Sequence, residues 1–176
     1  MRCFEQIRND VCYQNVDVKI VATGGGLSYG SLGPTHHARE DIAIMRSLPN
    51  MIVACPADPI EAELITKEAT KMNGPLYLRL GRGNDEVVHK EKPNLSVGKG
   101  IVLKEGNDIA IIATGNIVAN ALAAANSLKD KGINAKVISM HTIKPLDKGL
   151  VFSCAKTKAI FTVEEHSIMG GLGSAV

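Results

Sequence analysis

The feature that most constrains this chain is an alternation that occurs twice along it. "VKIVAT" (18–23), "MIVAC" (51–55) and "LYLRL" (76–80) are short apolar runs rich in β-branched residues, which read as buried strands. Between them, residues 37–48 carry Ala38, Ile42 and Met45 at helical spacing and stop at Pro49. Residues 59–72 carry Ala62, Ile65, Ala69 and Met72 on another stripe. Asp58-Pro59-Ile60-Glu61 opens that second helix with an N-cap, a proline at the first helical position and a glutamate three residues after the cap. Asn73-Gly74 closes it. Strands that alternate with helices are joined most simply by crossovers, and crossovers build a parallel sheet.

The pattern repeats after residues 83–99, a polar stretch with no helical stripe that reads as an interdomain linker. "IAIIAT" (109–114) runs through Gly115-Asn116 into an alanine-rich helix ending at Gly132. "NAKVISM" (134–140) leads through "HTIKPLD" to a helix near 147–156, and "AIFTVEE" (159–165) leads to "GGLGSAV", the first turn of another helix. An amphipathic helix over 3–13 (Phe4, Ile7, Val11) begins without an N-cap. With both ends inside elements, the chain reads as a piece of a longer protein or of a larger assembly. The expected architecture is α/β: two α/β domains with largely parallel sheets, over residues 1–84 and 98–176.

Composition excludes several classes. A formal charge of +2, with cations and anions interspersed, gives no electrostatic footprint for nucleic acid. No apolar run approaches the ~20 residues that span a bilayer, and no signal-peptide pattern opens the sequence. The four cysteines are scattered without a CxxC pair. They read as small buried hydrophobes in a reducing compartment, so a cytoplasmic protein without membrane contact is expected.

The chemistry concentrates in "GGGLSYGSLGPTHHARED" (24–41). A glycine-rich segment between strand and helix can present backbone N–H groups to a ligand, although neither the dinucleotide fingerprint nor the P-loop spacing is present. His36 and His37 fall where the following helix is expected to begin. There the helix dipole favours neutral imidazole, the form that accepts a proton or bonds a hydroxyl. Arg79 and Arg82 end the third strand, beyond the carboxyl ends of a parallel sheet where ligands collect. Guanidinium forks suit a phosphate or carboxylate there; the competing reading is an ion pair with Asp85 or Glu86. Adjacent histidines with no further ligands nearby make a poor metal site. "EEH" (164–166) reads as a loop anchor or subunit contact. His89 and His141 have no evident partner.

Five ordered stretches, "GPTHH", "LPNM…PADPIEA", "GPLYLRLGRG", "TIKPLD" and "TVEEHSIMGGLGSAV", resemble the transketolase family over essentially the whole chain, specifically the C-terminal subunit of a split transketolase. The resemblance implies most of a pyrimidine-binding domain followed by most of a C-terminal domain. It also implies transfer of a two-carbon ketol unit between sugar phosphates with thiamine diphosphate and Mg2+, the metal held mainly by an N-terminal subunit. A homodimer or heterotetramer with that subunit is implied, and this chain alone is expected to be inactive. By resemblance His36 is catalytic, with His37 lining the substrate site. Arg82 grips the substrate phosphate, Arg79 matches a second arginine of the deoxyxylulose-phosphate synthases, and Arg2 matches an arginine beside the cofactor. The family's activating glutamate falls upstream of this sequence. Single-chain members carry a histidine–aspartate pair and an acid where Gly24-Gly25 and Leu32 stand here.

Two other readings remain. A 1-deoxy-D-xylulose-5-phosphate synthase shares the cofactor and a similar histidine motif, and a non-catalytic α/β module could bind a phosphorylated ligand. "GPTHH" argues against the related 2-oxo-acid dehydrogenase β-subunits.

Overall fold

A computed structural model describes residues 2–176. Two four-stranded sheets organise the chain. In the first, β1 (Lys19–Ala22), β3 (Leu76–Arg79) and β2 (Ile52–Ala54) are parallel. With β7 (Thr142–Lys144) they stand in the spatial order β1-β3-β2-β7. The second sheet comprises β4 (Ile101–Lys104), β6 (Ala135–Ser139), β5 (Ile109–Ala113) and β8 (Ala159–Val163), in that spatial order, with β6, β5 and β8 parallel. Each sheet also carries one antiparallel edge strand, β7 or β4.

The alternation of side chains along each strand divides each core in two. On one face of the first sheet Val53 and Tyr77 pack with Ile42 and Met45 of α2 (Asp41–Ser47) and with Ile7 and Cys12. Those last two belong to an N-terminal helix that starts as α1 (Phe4–Gln6) and continues with π-helical bonding over Ile7–Tyr13. On the opposite face Ala54, Leu76 and Leu78 meet Ile65 and Ala69 of α3 (Pro59–Ala69). In the second unit, α4 (Val118–Lys129) lays Val118, Ala121 and Ala125 over Ile111 and Val137. Ile112 and Ile138 face Cys154, just after α5 (Lys148–Ser153), and Leu172 of α6 (Leu172–Ala175).

One expectation about the strands is corrected. "TIK" is not a loop on the way to a helix: it forms β7, which pairs antiparallel with β2 of the first sheet. The Lys144 ammonium anchors it by donating to the carbonyls of Arg46 and Leu48. The second half of the sequence thus completes the first half's sheet. The polar segment 83–99 is tied down, because Leu95 buries beside Ile65 and Leu78 and His89 reaches Glu61 (2.9 Å). Of the cysteines, Cys12, Cys55 and Cys154 are buried, as expected of small hydrophobes, whereas Cys3 departs from that expectation and is exposed. Burial, the largest influence, pushes the Cys55 thiol up to about 12, so it is inert at neutral pH. Among the described residues no helix is long and apolar enough to cross a membrane.

Candidate active site

The site is built by the chain that leaves β1. Instead of entering a helix directly, residues 23–40 run through two 3-10 turns, Gly30–Leu32 and Pro34–His36. Gly26 and Ala38 form an isolated antiparallel bridge that closes this excursion. The bridge holds Ala38 extended, so α2 starts only at Asp41. His36 therefore ends a 3-10 turn and His37 is extended, and neither sits at a helix N-terminus as the sequence suggested. The dipole argument for a neutral imidazole lapses with that placement.

Local contacts separate the two histidines. Nε2 of His37 lies 3.1 Å from the Gly30 carbonyl; a carbonyl only accepts, so this nitrogen carries a proton and is committed to the loop. His36 places Nδ1 3.1 Å from the Thr35 hydroxyl, which can donate or accept. Among the described residues its Nε2 has no partner, and the ring is exposed.

Tyr29 joins His36 to Arg82. Its ring meets the His36 ring edge-on, with centroids 6.1 Å apart at 64°. The Arg82 guanidinium carbon lies 5.3 Å from the Tyr29 centroid, within cation–π range. Gly24, at φ +80, allows this: a Cβ there would stand inside the tyrosine ring. Arg82 lines two adjoining clefts. One, of about 300 Å³, runs along Pro56, Asp58 and Gly81. The other, of about 380 Å³, is bounded by Ser28, Asn84, Asp85 and, from the second unit, Asn116. Among the described residues Arg82 forms no ion pair with Asp85 or Glu86.

Arg79 is placed otherwise. Its side chain is 4% exposed and ion-paired to Asp41: Nε donates to Asp41 Oδ2 (2.8 Å), and Nη2 lies 3.2 Å from Oδ1. Nη2 also reaches the carbonyls of Ala38 (2.7 Å) and Glu165 (3.0 Å). The Tyr77 hydroxyl donates to the same carboxylate (2.8 Å), and burial, reinforced by Asp41, pushes that phenol far above its usual pKa. The expectation of Arg79 as a second substrate grip gives way to an internal tie. Arg2 is exposed before α1, and no hydrogen bond or ion pair among the described residues joins it to the histidine loop. "EEH" is a loop anchor: Glu164 caps α6 by accepting from Leu172 and Gly173 N–H (2.6 and 2.9 Å), while Glu165 and His166 reach into the first unit. Sequence reasoning missed Tyr29 and Asp41, and although it read Glu165 as part of an anchor, it did not foresee the contact with the histidine loop. Of the two missed, only Tyr29 left a signal, as an aromatic residue inside a glycine-rich loop.

His89 and His141 also find their places. His89 binds the fully buried Glu61, whose other oxygen accepts the Ala57 N–H (2.7 Å). His141 is buried beside Thr142, with Nδ1 2.9 Å from its hydroxyl. Among the described residues no group of three His, Cys, Asp or Glu is placed to hold a metal ion.

Comparison with known proteins identifies the family. The transketolase pyrimidine-binding domain matches residues 1–86, and the transketolase C-terminal domain matches residues 98–176. A provisionally named transketolase C-terminal section of Methanocaldococcus jannaschii is 43% identical over 178 residues, covering 99% of this chain and 55% of that protein. A 1-deoxy-D-xylulose-5-phosphate synthase of Geobacter sulfurreducens is 40% identical, again over 99% of this chain but only 28% of the relative. A solved split-gene transketolase, described as an inactive β4 tetramer, superposes with a TM-score of 0.91 at 46% identity, covering 99% of this chain and 56% of that one. The chain spans about half the length of the first of these relatives. With both domain matches in order and the fold shared almost end to end, the chain belongs to the transketolase family.

Proposed function

We propose that this chain supplies the substrate-facing half of a transketolase active site, completed by an N-terminal subunit that holds the diphosphate and Mg2+ of thiamine diphosphate. The carrying observation is the Tyr29-centred arrangement: an open imidazole edge and an unpaired guanidinium held on one aromatic ring beside two clefts. The donor set fits the substrate side of such a cofactor, with one open imidazole nitrogen and one phosphate-binding cation. Among the described residues it contains no metal cradle of its own. When bound, the cofactor supplies the carbanion that cleaves and re-forms the ketose carbon–carbon bond. His36 Nε2 hydrogen-bonds the ketose hydroxyls and moves a proton at the one that becomes a carbonyl. Arg82 holds the terminal phosphate through charge-assisted hydrogen bonds, so substrates are sugar phosphates. His37, bonded to Gly30, lines the loop and keeps its shape. A cytoplasmic setting, supported by the buried free thiols, and assembly as a homodimer or heterotetramer belong to the same reading.

The test is reconstitution of the full-length protein with its N-terminal partner, thiamine diphosphate and Mg2+. With xylulose 5-phosphate and ribose 5-phosphate, formation of sedoheptulose 7-phosphate supports the proposal and its absence overturns it. The synthase is the second reading, favoured by the 40% identity to the Geobacter enzyme. Pyruvate with glyceraldehyde 3-phosphate tests it in the same mixture. Inactivity with both pairs leaves a phosphate-binding module.

A further inference from the structure

The loop that carries His36 and His37 holds little regular structure of its own: two 3-10 turns and one bridge between β1 and α2. Short turns of this kind do not fix a side chain to the tolerance that proton transfer requires. The remaining restraints come from far along the sequence. Glu165, 138 positions away, accepts the Leu27 N–H at 3.0 Å. His166 Nε2 accepts the Ala43 N–H (3.3 Å), while its Nδ1 donates to the Ser167 carbonyl (2.7 Å). Ser167 N–H donates to the Arg39 carbonyl (2.8 Å). Arg79 closes the circuit by bridging the carbonyls of Ala38 and Glu165. The ties therefore fall on both sides of His36, at Leu27 before it and at Ala38, Arg39 and Ala43 after it. Gly26, at φ +65, is where the Glu165 side chain lies against the loop backbone, and a Cβ there would collide with its carboxylate.

We propose that Glu165, His166 and Ser167 form a clasp from the second unit that sets the position of the histidine loop, with Glu165 and Arg79 as positioning residues for His36. Neither lines the clefts around Arg82; both act through the loop backbone. The proposal rests on the reading of His36 as catalytic. It assigns a purpose to the second unit within the first unit's site, since the segment between β8 and α6 holds a loop that its own sequence leaves loose.

The experiment uses the full-length chain with its N-terminal partner and compares Glu165→Ala, Glu165→Asp and Glu165→Gln. Alanine removes the acceptor and aspartate draws it back by one methylene, so each should lower kcat about tenfold with KM for the ketose phosphate within about twofold. Glutamine keeps an oxygen that can accept from Leu27 and should restore most of the turnover. In parallel, exchange of the Leu27 and Ala38 amide hydrogens should accelerate about tenfold or more in the Ala and Asp variants, while amides of β5 and β6 are unchanged. If melting temperature falls but kcat and loop exchange stay at wild-type values, Glu165 is only a structural link and the clasp is overturned. Should Glu165→Ala fail to fold, Glu165→Asp reads the same quantities. If the wild-type protein lacks ketol-transfer activity, loop exchange alone decides the clasp, so the two readings fail separately.

Discussion

Two strands of this chain leave their sheets through the same pair of residues and then part ways. After β5 the chain passes Thr114 and Gly115, makes one 3-10 turn over Gly115–Ile117 and enters the 12-residue α4. Thr114 is buried, its hydroxyl donating to the Met140 carbonyl (2.9 Å), and Val118, Ala121 and Ala125 go straight into the core. After β1 the chain passes Thr23 and Gly24, wanders to residue 40 and then forms an α2 of only seven residues. The first exit gains its helix and its burial at once, and its distant ties, such as Gly115 N–H to the Cys55 carbonyl (3.1 Å), fall at the exit itself. The second gives up local structure and in exchange displays Tyr29, His36 and His37. A helix as short as α2 has no stability of its own in water, so the excursion depends on distant residues: Asp41–Arg79 beneath it and Glu165–Ser167 beside it. One unit is built for packing, and the other for presenting side chains under outside restraint.

The largest break in that comparison is expected at the presented cation. Arg82→Ala should raise KM for a phosphorylated ketose roughly 10- to 100-fold, the range for losing hydrogen bonds to a charged group. KM for an unphosphorylated ketose should stay within about twofold. Equal shifts for both substrates, in steady-state assays of the reconstituted enzyme, would remove Arg82 from phosphate recognition.

A second contrast sets the two exits directly against each other. Gly26 and Gly115 both have positive φ, +65 and +72, so an alanine at either costs about 1 kcal/mol in backbone strain. Gly115 is open, and a methyl there would meet only Arg79 Nη1, at 4.0 Å, whereas at Gly26 the methyl would displace Glu165. Gly26→Ala should therefore lose about 2–3 kcal/mol in denaturant unfolding, adding a lost hydrogen bond to the strain. Gly115→Ala should lose only the first part. Matching losses would mean that the histidine loop is no more dependent on outside ties than the short exit.

The smallest expected effect is a pH dependence at the join between the units. Burial opposes the charge on His89, but the hydrogen bond its ring donates to Glu61, with the charges of Glu61 and Asp58, outweighs it, so its pKa lies above the usual 6.5. The stability contributed by the pair is complete below about pH 6.5 and is lost as pH rises through the raised value. Burial shifts His141 the opposite way, and the charge on His89 adds to that lowering, so His89→Gln also relieves part of the His141 shift. Thermal melts of wild type and His89→Gln should differ by about 1 kcal/mol in acid, and the gap should shrink toward alkaline pH. A gap that widens with pH has the wrong sign for this pair.

Much of the frame was legible from residues because its signals are local. Alternation of apolar runs placed β1, β2, β3, β5, β6 and β8, and Asp58 caps α3 as its spacing predicts, accepting the Glu61 N–H at 2.8 Å. β7 was illegible because its partner, β2, lies some ninety residues earlier, and a three-residue strand has no period to read. β4 carries a short apolar run, Ile101-Val102-Leu103, but it follows directly on the polar segment 83–99, ends at Lys104 and lies at a sheet edge with every residue half-buried, so nothing marked it off from that segment. The histidines were found as a motif but misplaced. The Gly26–Ala38 bridge, which delays α2, is a contact between residues twelve positions apart that periodicity cannot see. Arg79 misled for the opposite reason: at a strand end it looks like a ligand, and only Asp41 folding back beneath it turns it into a tie.

The central claim is that this loop commits one histidine to chemistry and the other to its own shape. The most direct measurement is kcat of the reconstituted enzyme for ketol transfer with His36→Ala and His37→Ala side by side. Loss of a proton-transferring group predicts a fall of about 10²-fold or more for His36→Ala, with subunit assembly intact. Removing the His37–Gly30 bond predicts a fall of only a few-fold. Equal falls for the two variants, or the larger one at His37, would contradict the account.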